Sequence, residues 1–270
     1  TQEGPAVRDY SSLLTFQRWG LFTSASTKLF EERLSLALGL RTDASNYSAE
    51  MNSLLDQVSP RLSVSYLLTS RMALNFNTGI YYQLPAYTVM GYRDSQTGEL
   101  VNKENGLRYI RSKHLVAGWE YNTNTSSRVT VEGFYKYYDQ YHFLLPDSIS
   151  LANLGADFGI VGNSPATSTS EGRSYGVEFL FQQKLFKGFY GLVSYTWVRS
   201  EFENKAGVLV PSSWDSEHLV SVTGGKKFGR NWEVGIRWLF TGGAPYTPYN
   251  VTETVRRVNW DIRPDRKSVV

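Results

Sequence analysis

Hydrophobic and polar residues alternate along most of this chain with a period of two. The alternation is strongest between Gly172 and Gly243. One row there reads Tyr175, Val177, Phe179, Phe181, Gln183, Leu185. The following segment gives Phe189, Gly191, Val193, Tyr195, Trp197, and the last gives Trp232, Val234, Ile236, Trp238, Phe240. The opposite rows hold Ser174, Gly176, Glu178, Gln182 and Glu233, Gly235, Arg237, Thr241. Extended strands point successive side chains to opposite faces, so one face is apolar and aromatic and the other small, polar and charged. Four strands are predicted, about 172–184, 188–200, 217–228 and 231–242. Tight turns fall at Phe186–Gly188 and Gly229–Asn231, and a longer polar loop holding Pro211 and Asp215 joins the middle pair.

The same rhythm extends upstream. Residues 1–13 read as a loop. Strands are predicted at about 14–28 (through Phe16, Trp19 and Phe22), 33–42, 61–69, 72–83, 112–122 and 127–138. The segment 33–42 is leucine-rich, and a helix competes there on propensity; period-two spacing with Gly39 inside favours the strand. Loops span about 43–58, with room for one helical turn, 84–110, 139–171 and 243–270. Tight turns near 31, 70, 124, 187 and 230 alternate with the long loops. The nine prolines fall in loops or at a strand start, with Pro60 closest to a ladder, as a residue lacking a backbone donor requires.

The predicted fold class is therefore all-β: an antiparallel up-and-down meander of about ten long strands. These strands are about twice the usual soluble length and close to what a tilted strand needs to cross a bilayer. In the strands of clear register, Arg41, Glu120, Glu132, Lys136, Glu178, Glu233 and Arg237 all fall on polar rows, while the apolar rows carry no charge. A lipid face demands that exclusion, because an arginine or lysine at the bilayer midplane costs about 2–4 kcal/mol. Aromatic residues collect at strand ends: Phe189, Tyr190 and Trp232 after tight turns, and Tyr81, Tyr82, Tyr137, Tyr138 and Trp197 on the loop side. Two such belts fit membrane interfaces. A soluble sheet with one buried face would also separate charge, but would not require the strand length or the belts. The register of 217–228 is open, since Val220 and Val222 share a row with Lys226.

Composition narrows the field. Aromatic residues make up 14% of the 270 residues, with 18 tyrosines, and the net charge is +3. The charge is spread without a basic block, so nucleic acid is not indicated. The mean hydropathy is -0.34, and there is no apolar run long enough for a membrane helix. Cysteine is absent, which excludes disulfide scaffolds and thiolate metal sites. The start, Thr1-Gln2-Glu3-Gly4-Pro5, has neither Met nor a targeting pattern and reads as a fragment or a processed chain.

Short stretches resemble TonB-dependent receptors of the bacterial outer membrane, in particular those of Bacteroidetes. They are Ser59-Pro60-Arg61-Leu62-Ser63-Val64-Ser65-Tyr66, Tyr81-Tyr82-Gln83-Leu84-Pro85-Ala86-Tyr87, Glu132-Gly133-Phe134-Tyr135-Lys136 and Gly172-Arg173-Ser174-Tyr175-Gly176-Val177-Glu178-Phe179. Ser194-Tyr195-Thr196 and Thr241-Gly242-Gly243-Ala244-Pro245-Tyr246-Thr247-Pro248-Tyr249 continue the series. The resemblance implies a plugged barrel of about 22 strands. Residues 1–270 would then be one partial barrel domain, with the plug domain, the TonB-contacting box and the remaining strands not found in this sequence. It further implies capture and import of a scarce solute: a metal chelate, cobalamin, oligosaccharide or peptide. The implied partners are outer-membrane lipid, the TonB complex reached through the upstream region, the receptor's own plug, a small solute and, as an optional partner, a surface lipoprotein.

Candidate chemistry is sparse. His114, His142 and His218 lack metal-ligand spacing, and no cofactor, metal or catalytic residue is assigned. Asp215, Ser216 and His218 lie close in sequence, the minimum for an outer-membrane hydrolase, but no nucleophile elbow surrounds them. A structural or adhesive barrel is the other alternative. Gly155, Gly159 and Gly162 make a glycine-rich loop without the lysine of a phosphate loop. In a barrel, Glu120, Glu132, Glu178, Glu233 and Arg237 would face the lumen, as plug contacts or as plain solvated wall. Tyr87, Tyr92, Tyr141, His142 and Phe143 lie in the predicted long loops. They could stack on a solute, or pack the loops themselves.

Overall fold

A computed structural model describes residues 12–123, 126–154, 162–229 and 231–245. Twelve strands form one antiparallel sheet among these residues: β1 (Arg18–Leu29), β2 (Leu34–Ser45), β3 (Ser59–Thr69), β4 (Met72–Gln83), β5 (Ile110–Asn122), β6 (Ser127–Leu144), β7 (Ile149–Ser150), β8 (Ala166–Phe186), β9 (Phe189–Glu203), β10 (Leu209–Pro211), β11 (Glu217–Phe228) and β12 (Trp232–Thr241). The ten long strands run in sequence order across the sheet, with β7 paired to β6 and β10 to β9. This is the predicted meander. The sheet is open: β1 and β12 are its edges, each paired on one side among the described residues.

Tight turns lie at one end. Between β8 and β9, Lys187 (φ 50°) and Gly188 (φ 85°) both take positive φ, the two-residue pattern whose twist suits a hairpin. Phe30, Glu31 and Glu32 do the same between β1 and β2. At the other end the connections are long and fold into a cap. It contains a 3-10 turn at Ala49–Met51 and two short helices, α1 (Tyr87–Met90) and α2 (Val101–Glu104).

The register confirms the two faces. Leu34, Tyr66, Leu74, Trp119, Val131, Phe179, Tyr195, Val220 and Phe240 form one continuous row across the apolar face. It also resolves β11. Val220 and Val222 do lie with Lys226 on the apolar face, but Lys226 sits at the turn end, its ammonium 4.2 Å from the Phe189 ring centre and 4.9 Å from that of Phe228. Trp232 pairs with Phe228, and Trp197 with His218, ten positions away along β11. That is about 33 Å along the strand, or about 25 Å normal to a bilayer at a tilt of about 40°, the height of a transmembrane apolar band.

Several expectations need correction. The first strand starts at Arg18, not near 14, because Phe16 leaves the sheet to pack edge-on against Tyr47 and Tyr87 in the cap. Trp19 and Phe22 point to opposite faces. The predicted loop 139–171 is strand at both ends: β6 continues to Leu144 and β8 begins at Ala166. A register shift between Tyr138 and Tyr141, with Gln140 at φ 55°, breaks the alternation there and hid the extension. Pro211 ends a short strand. The apolar rows also carry charge at their loop ends, where Lys113 and Arg173 share a face with Leu115 and Tyr175. Those positions lie beyond the Trp197 row, where the strands rise past the apolar band. Most of 1–13 and 243–270, and Gly155 and Gly159, lie outside the described residues.

Candidate functional site: an arginine pocket under a cap

The loop end carries the buried core. Tyr47, Met51, Val89, Met90, Leu107, Tyr109, Leu144 and Ala166 pack into one cluster drawn from two loops and two strand ends. Asn102, fully buried on α2, ties it together. Its amide donates to the carbonyls of Val89 (2.7 Å) and Ser164 (3.0 Å), and its oxygen accepts from Ala166 N–H (2.7 Å). The Tyr47 hydroxyl donates to Met90 O at 2.7 Å, and Ser48 Oγ to Leu107 O at 2.8 Å. Burial raises the Tyr47 phenol well above its ordinary pKa.

Beneath this cap the polar face of β1–β3 concentrates positive charge. Period two puts Arg41 and Asp43 on one face of β2, and the register brings Arg18 and Arg61 to the same face. Asp43, 6% exposed, accepts two hydrogen bonds of 2.7 Å from Arg41. Arg18 approaches the same carboxylate at 4.0 Å. Gly20 makes room: a Cβ there would stand 2.8 Å from Asp43 Oδ1. Arg61 lies between Gly39 and Gly79, its guanidinium 4.5 Å from the Tyr81 ring centre. These arginines line a cavity of about 430 Å³, with Asp43, Tyr87 and Tyr109 also in its wall. Tyr109 is 1% exposed, and its hydroxyl has no hydrogen-bond partner among the described residues. Burial raises its pKa, and Arg18, Asp43 and Arg41 are the charges that act on it.

The predicted site residues are dispersed. Glu120 pairs with Arg128 at 3.2 Å and accepts from Asn122 at 2.7 Å. Glu132 and Glu178 stand directly opposite one another on β6 and β8. Glu233 accepts from the Tyr190 hydroxyl at 2.6 Å, and Arg237 is paired with Thr223. All five occupy the polar face. Tyr87, 65% exposed, is the predicted aromatic that reaches the cavity. Tyr92 is half-buried, and its carbonyl accepts from Val101. Tyr141, His142 and Phe143 lie in β6 rather than in a loop: Tyr141 packs on Phe202 at 4.8 Å, His142 is buried, and Phe143 pairs with Ser150 and Thr167. Sequence reasoning missed Arg18, Tyr109 and Asn102 and gave Arg41 and Arg61 no site role. Arg41, Asp43 and Arg61 were visible as charges near strand ends, but only the register shows that they converge.

The hydrolase-like trio does not assemble. Asp215 accepts from Ser200 N–H at 2.9 Å and pairs with Arg199 at 3.2 Å, while His218 Nδ1 is 3.0 Å from the Tyr195 hydroxyl. Burial raises the Asp215 pKa despite Arg199.

A wall of long amphipathic strands, with tight turns at one end and a folded cap at the other, matches a known family. The sequence model described as TonB dependent receptor-like, beta-barrel, aligns with residues 1–264, and the chain belongs to that family. No curated protein matches it. Among solved structures it is similar to FpvA of Pseudomonas aeruginosa, bound to heterologous pyoverdines (TM-score 0.62, 16% identity, 87% of this chain and 29% of that one). It is also similar to the siderophore receptor PirA of Acinetobacter baumannii (0.61, 16%, 83% and 33%). The FrpB iron transporter of Neisseria meningitidis gives 0.57, 13%, 82% and 32%. At these identities the likeness is one of fold, and the chain spans about a third of the length of each. Proteins of this family are receptors and transporters of the bacterial outer membrane rather than enzymes. They work with a plug domain, TonB and small ligands.

Proposed function

We propose that this chain is part of the wall and outer cap of a TonB-dependent importer that captures a scarce small solute. The observation that carries the reading is the family match over residues 1–264 on a sheet whose long connections fold into a cap above a cavity. The apolar face meets lipid, and the polar face, with Glu120, Glu132, Glu178, Glu233 and Arg237, lines the lumen. The tight turns point to the periplasm and the cap faces outside. Further strands, beyond residues 1–270, complete the barrel, because an open edge in lipid leaves backbone groups unpaired at several kcal/mol each. A plug fills the lumen, TonB supplies energy through the upstream region, and a surface lipoprotein can close over the cap. Among the solutes considered, a metal chelate has the most support, since FpvA, PirA and FrpB are all described as iron or siderophore proteins.

The test is uptake of a panel of radiolabelled iron chelates by cells carrying the full-length receptor. Uptake of at least one chelate is expected, with loss in cells lacking TonB and loss again when residues 84–109 are replaced by a short linker. Uptake indifferent to both changes overturns the importer reading.

A further inference from the structure

The two rims of the apolar face handle their cations differently. At the loop end each cation has a carboxylate. Arg111 and Lys113 share Asp139, with Lys113 at 3.1 Å. Arg173 is 2.7 Å from Glu201, and Arg199 is 3.2 Å from Asp215. At the turn end the ion pairs are Lys28 with Glu32 and Arg128 with Glu120. Arg33, Lys187 and Lys226 make none among the described residues. Each of these three lies over an aromatic ring instead. Lys226 Nζ is 4.2 Å from the Phe189 ring centre and 4.9 Å from that of Phe228, and Lys187 Nζ is 5.4 Å from that of Phe186. Arg33 Cζ is 5.7 Å from the Tyr66 ring centre, and its guanidinium also donates to the carbonyls of Leu67 and Leu68.

Lys187 and Lys226 belong to one patch. The β8–β9 and β11–β12 turns are neighbours, tied by Lys227 N–H donating to Gly188 O at 2.8 Å. Phe186, Phe189, Phe228 and Trp232, all exposed, surround the two ammoniums. Lys226 stands two residues short of the Phe228–Trp232 row, about 5 Å inside the apolar band at the same tilt. Its stem therefore runs along apolar surface while its ammonium reaches the boundary. An aromatic face attracts an ammonium but carries no net charge, so both lysines bring a full positive charge to the edge of the lipid. Glu233, on the adjoining strand, faces the other side and accepts from Tyr190. The groups of opposite charge at that depth of a bilayer are head-group phosphates, and anionic lipid attracts each lysine held near its surface. A free phosphate would leave the four rings uncovered; a phospholipid covers the rings with its chains and meets the ammoniums with its head group.

We propose that Lys187 and Lys226, with Phe186, Phe189, Phe228 and Trp232, form a binding surface for an anionic phospholipid of the leaflet that the tight turns reach. This rests on the reading of the apolar face as lipid-facing, with the turns towards the periplasm. The test is native mass spectrometry of the full-length receptor in detergent, titrated with phosphatidylglycerol and phosphatidylcholine of the same acyl chains. The wild-type protein should retain phosphatidylglycerol in preference. Lys187→Gln combined with Lys226→Gln should lower that preference by about fivefold for each lysine removed. Should the double variant fail to fold, Lys226→Gln alone serves. Lys187→Arg with Lys226→Arg should keep the preference, because the charges remain. Lys113→Gln should leave it unchanged, because that cation already faces Asp139.

Equal retention of the two lipids by the wild-type protein, or an unchanged preference in the glutamine variants, overturns the assignment. So does an equal loss in Lys113→Gln, which would mean that net charge rather than the patch selects the lipid. Displacement of phosphatidylglycerol by an equal concentration of glycerol phosphate also overturns it, since the rings would then contribute nothing. If chelate uptake depends on TonB but the lipid preference is absent, the importer reading stands and the lipid surface falls. If the preference depends on the two lysines but no uptake depends on TonB, the lipid surface stands and the importer reading falls.

Discussion

The turn end of the wall and the loop end of the chain are built on opposite principles. In β12 every residue is exposed, and its outward row, Trp232, Val234, Ile236, Trp238 and Phe240, is more than two-fifths exposed throughout. At the loop end, Met51, Val89, Met90 and Leu107 have no accessible surface at all. The wall has no interior of its own in this sheet: its strands are held by ladder hydrogen bonds, and its apolar face is completed by lipid. The cap is a small water-excluding core whose polar groups are satisfied by particular partners. A ladder tolerates side-chain exchange within a row, whereas a small core depends on individual residues.

The sharpest way to break this contrast is Asn102→Ala. It removes the partner of the part-buried Ser164 carbonyl and of the buried Ala166 N–H, and leaves Val89 O with only a 3.5 Å bond from Tyr92 N–H; each group left unpaired costs about 1–3 kcal/mol. The cap should lose upwards of about 3 kcal/mol while the wall stays folded. Limited proteolysis within 84–109 and native hydrogen exchange would register cap opening without loss of β-sheet circular dichroism. Cooperative loss of both signals would mean that cap and wall fold as one unit.

Next in size is Val222→Arg, at mid-height on the apolar face between Val193 and Trp238. It should destabilise the vesicle-embedded receptor by about 2–4 kcal/mol in a denaturant titration. Ser221→Arg, one residue away on the polar face, should cost far less. Equal costs would remove the lipid assignment of the apolar face.

Tyr47→Phe removes one buried hydrogen bond and should cost the cap about 1 kcal/mol. The same tyrosine predicts a pH response. An unfolded phenol ionises near pH 10, and burial raises the pKa of Tyr47 and of Tyr109. The unfolded chain therefore loses these protons first. The stabilisation from the neutral buried forms is complete below about pH 10 and is lost as the pH rises through their raised values. Cap proteolysis should accelerate above pH 10, less steeply in Tyr47→Phe. Smallest is Glu178→Gln, which relieves the like-charge pair with Glu132 and should stabilise the sheet by a few tenths of a kcal/mol, on the order of other cross-strand pairs. A loss of stability there would reveal a cation held between the two carboxylates.

All ten long strands were legible in the sequence, in order, because nearly every stretch carries its own period-two signal; β1 was placed through Phe16, Trp19 and Phe22, which do not share a face. The failures cluster where that signal lapses. Residues 166–171, Ala-Thr-Ser-Thr-Ser-Glu, offer no apolar row although they are strand. Tyr141, His142 and Phe143 follow a register shift and so were read as loop. Asn102 and Tyr109 sit in a segment with no periodicity, and nothing local distinguishes them from other loop residues.

The sequence by itself determined the wall: strand number, the apolar and polar faces, the aromatic belts and the end at which the long connections lie. These are local properties, set by alternation, turn residues and proline placement. Only the tertiary structure decided the cap and its pocket. Arg18, Arg41, Arg61 and Tyr109 are spread over four separate segments, and their convergence depends on the register of β1–β3 and on how the 84–109 connection folds back over them. Register and loop packing depend on contacts between residues far apart in the chain, and no local pattern carries that information.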